Sequence, residues 1–323
     1  MIRILVSLVV VLMAAWGAGA IYYSEAPGAA LLAAAFPAAA GLAFVLLPWR
    51  RALAAFLVVF GALVVWWVRI PASNDREWQR DVAVTPRATV VGDRVTLHGV
   101  RNFDYRTETD FVERWEDRTY DLGRIDAVDL VASYWAGRAI AHVFVSFGFG
   151  GDHVAMSVET RKERHEQYST IAGLFKQYEL VYVVADERDV IRLRTSIRQP
   201  NEDVHVYRLR GRPDEMRRVF LSYVHALNEL HARPRFYNTV TTNCTTAVLF
   251  NARVSASAAP WSWKILFSGY APQYVYEMGR LDTTRPFEEL ERLARVNLRA
   301  HDADRDPRFS ERIRDGIPRP APR

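Results

Sequence analysis

Three stretches without a single charged residue, 4–22, 29–48 and 52–68, open the chain and constrain it more than any other feature. Each is close to the roughly 20 apolar residues that cross a hydrocarbon core of about 30 Å. Such a core offers no water to backbone N–H and C=O groups, so each stretch has to close its hydrogen bonds internally as a helix. Residues 1–70 are therefore expected to form a three-helix transmembrane anchor, with Pro37 kinking the second span. Tyr22 and Tyr23 end the first span and Trp66 and Trp67 end the third, placed like interfacial aromatics. Arg3, Arg50 and Arg51 lie on one side and Glu25 on the other, so the positive-inside rule puts everything after Arg69 outside the cytoplasm. This predicts a multi-pass membrane protein with an extracytoplasmic C-terminal domain. An alternative for the first span is a cleaved signal peptide, because Arg3, an apolar run and the small residues 17–20 fit that pattern too. Both readings leave the C-terminal domain extracytoplasmic.

After residue 70 the composition changes abruptly. The net charge of +5 is spread over interleaved Arg, Asp and Glu with no basic block, which argues against a nucleic-acid partner. The single cysteine, Cys244, excludes an intramolecular disulfide. Residues 71–100 read as a polar tether and a short hairpin around Gly92 and Asp93, and 101–301 as an α+β domain. Residues 302–323 read as a Pro/Arg-rich tail. Within the domain, 125–134, 139–147, 153–160, 178–185, 189–198 and 203–209 are expected strands, with edge-strand character over 104–122. Residues 169–176, 213–232 and 287–300 are expected helices, and 261–276 is aromatic and apolar without a clear period.

Cys244 follows the polar run Thr241-Thr242-Asn243 and opens the apolar run 247–250, the pattern of a loop entering a helix. A thiol in the first turn of a helix meets the positive end of the macrodipole and unpaired N–H groups, which favours the thiolate. A lone cysteine is by itself more often a small buried hydrophobe, so a base is needed to make it a nucleophile. Among eight histidines, His142 is the candidate, since it sits in mid-strand among apolar residues where an unpartnered imidazole is costly. If the hairpin turns on Gly150-Gly151, Glu159 lies opposite His142 and can orient it, and Ser157 is next on the same face. No histidine pair has the spacing of a zinc helix, and no glycine motif for a nucleotide is present, so neither a metal nor another cofactor is expected.

Four segments, AHVFVSFGF (141–149), SVETRKE (157–163), GLFKQYELVYVVADERD (173–189) and FYNTVTTNCTT (236–246), resemble the Lnb N-terminal periplasmic domain family of lipoprotein transacylase-like proteins. The resemblance extends over about residues 100–320 and implies a cysteine–histidine acyl-transfer enzyme, with Cys244 and His142 in the matching positions. Histidine before cysteine is the order of a permuted papain-like fold, an analogy at the level of fold alone. On this reading Cys244 takes an acyl chain from a membrane lipid or lipoprotein ester and passes it to an amine or other acceptor. His142, Glu159 and Cys244 would be catalytic, with Asn243, Tyr237 and Ser157 orienting substrate or the oxyanion. A cell-envelope cysteine peptidase or amidase would use the same pair with water as acceptor. A non-catalytic periplasmic binding or assembly module would use neither residue.

Overall fold

The computed structural model describes residues 1–254, 260 and 262–320. Trp261, at the head of the expected aromatic stretch, and the last three residues of the expected tail lie outside the described residues. Helices α1 (Ile2–Tyr22), α2 (Ala29–Leu46) and α3 (Trp49–Arg69) are each long and apolar enough to cross a membrane. They pack through a small aromatic and aliphatic cluster that includes Val10, Ala14 and Phe56, with most other side chains facing outward as a lipid-exposed bundle requires.

The rest of the chain is an α+β domain around an eight-stranded mixed sheet. Its strands are β1 (Arg87–Val91), β2 (Arg94–Arg101), β5 (Trp115–Asp121), β6 (Ile125–Tyr134), β7 (Ala141–Phe149), β8 (Asp152–Arg161), β9 (Glu179–Ala185) and β10 (Asp203–Arg208). The order is β1-β2-β9-β8-β7-β6-β10, with β5 also on β2; β3 (Asp104–Tyr105) and β4 (Phe111–Val112) form a separate two-stranded ribbon. The permuted papain-like plan implies an antiparallel sheet with helices; the strand pairs are antiparallel except where β2 meets β9 in parallel at Arg101 and Ala185, which makes the sheet mixed.

Strand alternation divides the interior into two layers. Val143, Val145, Phe147, Met156, Val158 and Val184 face α5 (Pro213–Ala232), α6 (Cys244–Ala252) and α8 (Phe287–Ala294). Phe144, Ala155, Val181 and Val183 face the opposite layer, built from α4 (Glu187–Arg192), α9 (Asn297–Asp302) and α10 (Phe309–Arg312). The β7–β8 hairpin turns on Gly150 and Gly151, whose φ of 62° and 104° only glycine adopts at little cost. Its register, Val145 opposite Met156 and Phe149 opposite Asp152, is the one the turn position predicts.

Four expected elements differ. The stretch 189–198, read as a strand, is α4 followed by a π-helical turn (Leu193–Ile197). Asp186 caps it by accepting from Arg188 N at 2.9 Å, so a local side-chain cap overrides a β-rich composition. Residues 287–300 are two helices, because the backbone between them serves the sheet edge: Val296 N donates to Val204 O at 2.9 Å, and the Asn297 side chain accepts from Val204 N. Residues 169–176 hold only a single 3-10 turn (Ala172–Leu174). The expected tail is packed: Phe309 and Ile313 are buried, and Arg314 reaches Asp129 and Glu187 inside the domain.

The domain is fastened to the membrane helices at the start of β9. Phe175 stacks on Tyr23 with ring centroids 5.6 Å apart and also meets Trp16 at 6.3 Å. Lys176, at φ 60°, turns its ammonium onto the carbonyls of Trp67, Val68 and Ile70 at 3.0, 3.0 and 3.1 Å. Carbonyls at a helix C-terminus lack intrahelical partners and carry the negative end of the dipole, so a lysine both satisfies and neutralises the end of α3.

Candidate active site

Cys244 is the first residue of α6, as the polar-to-apolar switch predicts. The cap is Asn243, whose Oδ1 accepts from Thr246 N at 2.9 Å while the Thr246 hydroxyl accepts from Asn243 N at 2.9 Å. Asn243 Nδ2 donates to Thr239 O at 2.7 Å, which ties the preceding loop to the helix start. The structure thus gives the Asn243 amide a holding task. Asn243→Ala is expected to cost about 1 kcal/mol, the usual worth of a helix cap, read as a shift in the urea midpoint. Asn243→Asp keeps the acceptor and is expected to recover most of it.

His142 reaches the thiol through a split in the sheet. Pairing of β7 with β8 stops at Val145 and Met156, although β7 continues pairing with β6 as far as Ala141 and β8 with β9 as far as Arg161. The thiol arrives from the α6 layer, while His142 lies on the Phe144 side of the sheet, its ring 5.7 Å from Phe144. They meet at this split, where His142 and the backbone N–H of Val143 lie close enough to the Cys244 sulfur to lower its pKa. Tyr237, buried, and Glu159 lie close enough for their charges to be felt in the same small space.

The imidazole is held from behind. Its Nε2 is 2.6 Å from Ser157 Oγ and 2.9 Å from Glu159 Oε1. Ser157 donates its own hydroxyl proton to Glu159 at 2.8 Å, so the serine oxygen accepts from Nε2–H and Nδ1 is left to face the sulfur. Glu159 in turn accepts from Arg194 at 3.1 Å. Arg194 is buried on the π-helical turn, over the face of Phe144, and leads on to Glu202, which also binds Ser133 and Arg198. Sequence reasoning missed Arg194, because a residue in a presumed strand of alternating charges carries no sign of being buried; its spacing of four from Arg198 is a signal only once the segment is known to be helical.

These contacts set the charges. Burial alone would lower the pKa of His142, but Glu159 and the Cys244 sulfur outweigh it and push it up to about 9. Burial would raise the Cys244 thiol, and His142, followed by the Val143 N–H and Thr245, brings it below its ordinary value. Glu159 is kept well below the usual carboxylate range by His142 and Arg194 against the effect of burial. All three shifts run in the direction that favours a thiolate and an imidazolium leaning on an ionised Glu159.

Among the described residues no group of three or more His, Cys, Asp or Glu is arranged to hold a metal ion. His153 stands at the hairpin turn on Gly151 O, and His205 bonds Glu291 O beside β10, so neither reaches the thiol.

No curated protein and no solved structure matches the chain. The family model described as the Lnb N-terminal periplasmic domain does match, over residues 111–269, a span that holds His142, Ser157, Glu159, Arg194 and Cys244 together. The chain thus joins three helices able to anchor it in a membrane to a domain that, over residues 111–269, is similar to the Lnb N-terminal periplasmic domain family.

Proposed function

We propose that this is a thiol acyltransferase working at the periplasmic face of the inner membrane, its substrate a membrane lipid or a lipoprotein. The observation that carries the reading is the geometry of the pair, a helix-terminal Cys244 beside a His142 whose Nε2 is held by Ser157 and Glu159. A nucleophile, a base and an orienting carboxylate in series are the parts acyl transfer through a covalent intermediate needs. The split-strand arrangement, with a sheet histidine and a helix-terminal cysteine, fits the permuted papain-like plan by analogy of fold.

In the first half-reaction the Cys244 thiolate attacks an ester carbonyl. The C–O bond breaks, the alkoxide leaves with the proton of the His142 imidazolium, and a thioester forms. In the second, an acceptor amine attacks the thioester and gives its proton to His142. The C–S bond breaks and the thiolate returns. The N–H groups of the first turn of α6 and the Tyr237 hydroxyl would face the oxyanion.

Two further features support a lipid substrate. Lys176 and Phe175 hold the domain against the ends of α1 and α3, which by length and composition are membrane-crossing helices. Behind α6 lies an apolar cavity of about 130 Å³ lined by Val128, Leu130, Val145, Val248 and Tyr274. The test is the thioester itself. Detergent-solubilised full-length protein, mixed with diacyl lipid or diacylated lipopeptide, is expected to gain one acyl mass on the peptide carrying Cys244, removed by hydroxylamine. Absence of the adduct in a His142→Ala chain and in wild type alike, with donor ester unconsumed, would refute the reading.

The charges predict a pH profile. Thiolate is present above the lowered Cys244 pKa, and imidazolium is present below about 9, so the working ion pair exists only between them. Acyl transfer is expected to fall on the alkaline side as pH rises through about 9, and on the acid side as the thiolate is protonated. In Glu159→Gln the alkaline limb should move to lower pH, because the charge that raises His142 is gone. A limb that stays in place would show that Glu159 does not set the histidine.

A further inference from the structure

We infer that the catalytic end of the domain carries its own bilayer-contacting rim, so that the soluble domain touches the membrane directly as well as through its three helices. The strands give the domain two distinct ends. His142 near the start of β7, Arg161 at the end of β8 and Glu179 at the start of β9 mark one; the Gly150-Gly151 turn marks the other. The first end is fastened to α1 and α3, through Phe175 and Lys176.

Around that attachment the surface stays apolar. Ile171 and Leu174 flank Phe175 in the same turn and are 59% and 36% exposed. Val240, 54% exposed, sits in the loop leading to Cys244, and that loop is bonded to the turn by Thr239 N to Gly173 O and Thr239 Oγ1 to Thr170 O. On the far side of the site, Trp263, Leu266 and Phe267 are all about half exposed. Their segment is bonded to the β7 start: Gly269 N donates to Ala139 O, Tyr134 Oη to Gly269 O, and Ala141 N to Ser268 Oγ. The β6–β7 turn adds exposed Trp135 and Ile140 at the same end.

Single exposed aliphatics such as Val112 are ordinary on a protein surface. Apolar and aromatic side chains ringing one end, continuous with a transmembrane bundle, are what an interfacial surface requires. The opposite end differs in kind. A cleft of about 640 Å³ there is lined by Arg118, Asp152, Asp186, Arg188, Arg308 and Glu311, groups suited to water. Trp263 and Trp135 have the apolar body and polar N–H that favour the headgroup level. The partner we assign to the rim is therefore the lipid interface and not a second protein. The consequence is that the mouth of the Cys244 site is shielded from bulk water, and substrate enters it from the bilayer side.

The test does not depend on the acyl-transfer reading, because it is run without the nucleophile. In a full-length Cys244→Ser chain, single cysteines replace Ile171, Val240, Leu266 or Phe267, with Asp152 at the opposite end as control. Each is spin-labelled in phosphatidylethanolamine–phosphatidylglycerol vesicles, and collision with oxygen is compared with collision with a water-soluble nickel chelate. All substituted positions are at the surface, and unchanged circular dichroism verifies each fold. Labels at Leu266 and Phe267 are expected to favour oxygen over nickel several-fold relative to Asp152. These two positions decide the matter, since Ile171 lies beside the helices in any case. Nickel access at Leu266 and Phe267 equal to that at Asp152 would overturn the rim, whether a partner protein or water covers it, and would leave the acyl-transfer reading untouched.

Discussion

Cys244→Ser and His142→Ala are each expected to lower acyl transfer by about 100- to 10,000-fold, the range typical of losing general-base assistance, and the double variant is expected to be no worse than the poorer single one. Non-additivity follows from the geometry. His142 has its Nε2 held by Ser157 and Glu159 and lies close enough to the sulfur for each to shift the other's pKa, so imidazole and thiol act as one unit. Once either is gone, the other has nothing left to do. The measurement is steady-state transfer from a labelled diacyl donor in detergent, with unchanged circular dichroism and membrane extraction for each variant. Thiol alkylation separates the two residues further. Iodoacetamide should react quickly with wild-type Cys244 near neutral pH and much more slowly in His142→Ala, because the imidazolium that lowers the thiol pKa is missing. A fully active, normally folded Cys244→Ala chain would remove the nucleophile, and the binding-module reading would replace catalysis.

The parts of this site that were legible in the sequence are those set by local chemistry. Cys244 was readable because Asn243 precedes an apolar run, and a cap at that place is a property of a few adjacent residues. The β7–β8 register was readable because two glycines with positive φ fix the turn and with it the pairs from Phe149 and Asp152 back to Val145 and Met156, and alternation beyond them puts His142, Ser157 and Glu159 on one side. The membrane spans were readable from length and absence of charge alone. The split between β7 and β8 was not, since nothing in the residues near 142 or 158 records that two strands part to admit a helix end. Arg194 was hidden for a similar reason: its partners Glu159 and Glu202 lie on two different strands, and only the π-helical turn brings it between them. The same blindness to long-range ion pairing made residues 302–323 read only as a Pro/Arg-rich tail.

That misreading leads to the largest expected effect on stability. The Arg314 side chain is 7% exposed, and its guanidinium lies 2.8 Å from Asp129 and 2.5 Å from Glu187, both of them buried. Asp129 has a second partner in Arg208, at 2.6 Å, whereas Glu187 has Arg314 as its main one. Removing one partner of a buried ion pair strands the other charge in a poorly polarisable interior, at a cost of about 3–5 kcal/mol. Arg314→Met keeps the bulk of the side chain, so its expected loss is that charge cost and not a cavity. The pH dependence carries the signature. In wild type, burial would raise both carboxyl pKa values, but Arg314 depresses them below their ordinary values. Their stabilising contribution is therefore present above the unfolded-state carboxylate pKa and is lost as pH falls through the lower folded values. In Arg314→Met the burial effect on Glu187 is unopposed by its main partner, its folded pKa rises above the unfolded value, and the variant gains relative stability as pH falls toward that pKa. The stability gap between wild type and Arg314→Met, read from urea unfolding in detergent, should thus be widest near neutral pH and narrow on acidification. A gap of the same size at pH 7 and pH 4 would mean that Arg314 holds the C-terminal segment by packing alone, and the ionic account of that segment would fail.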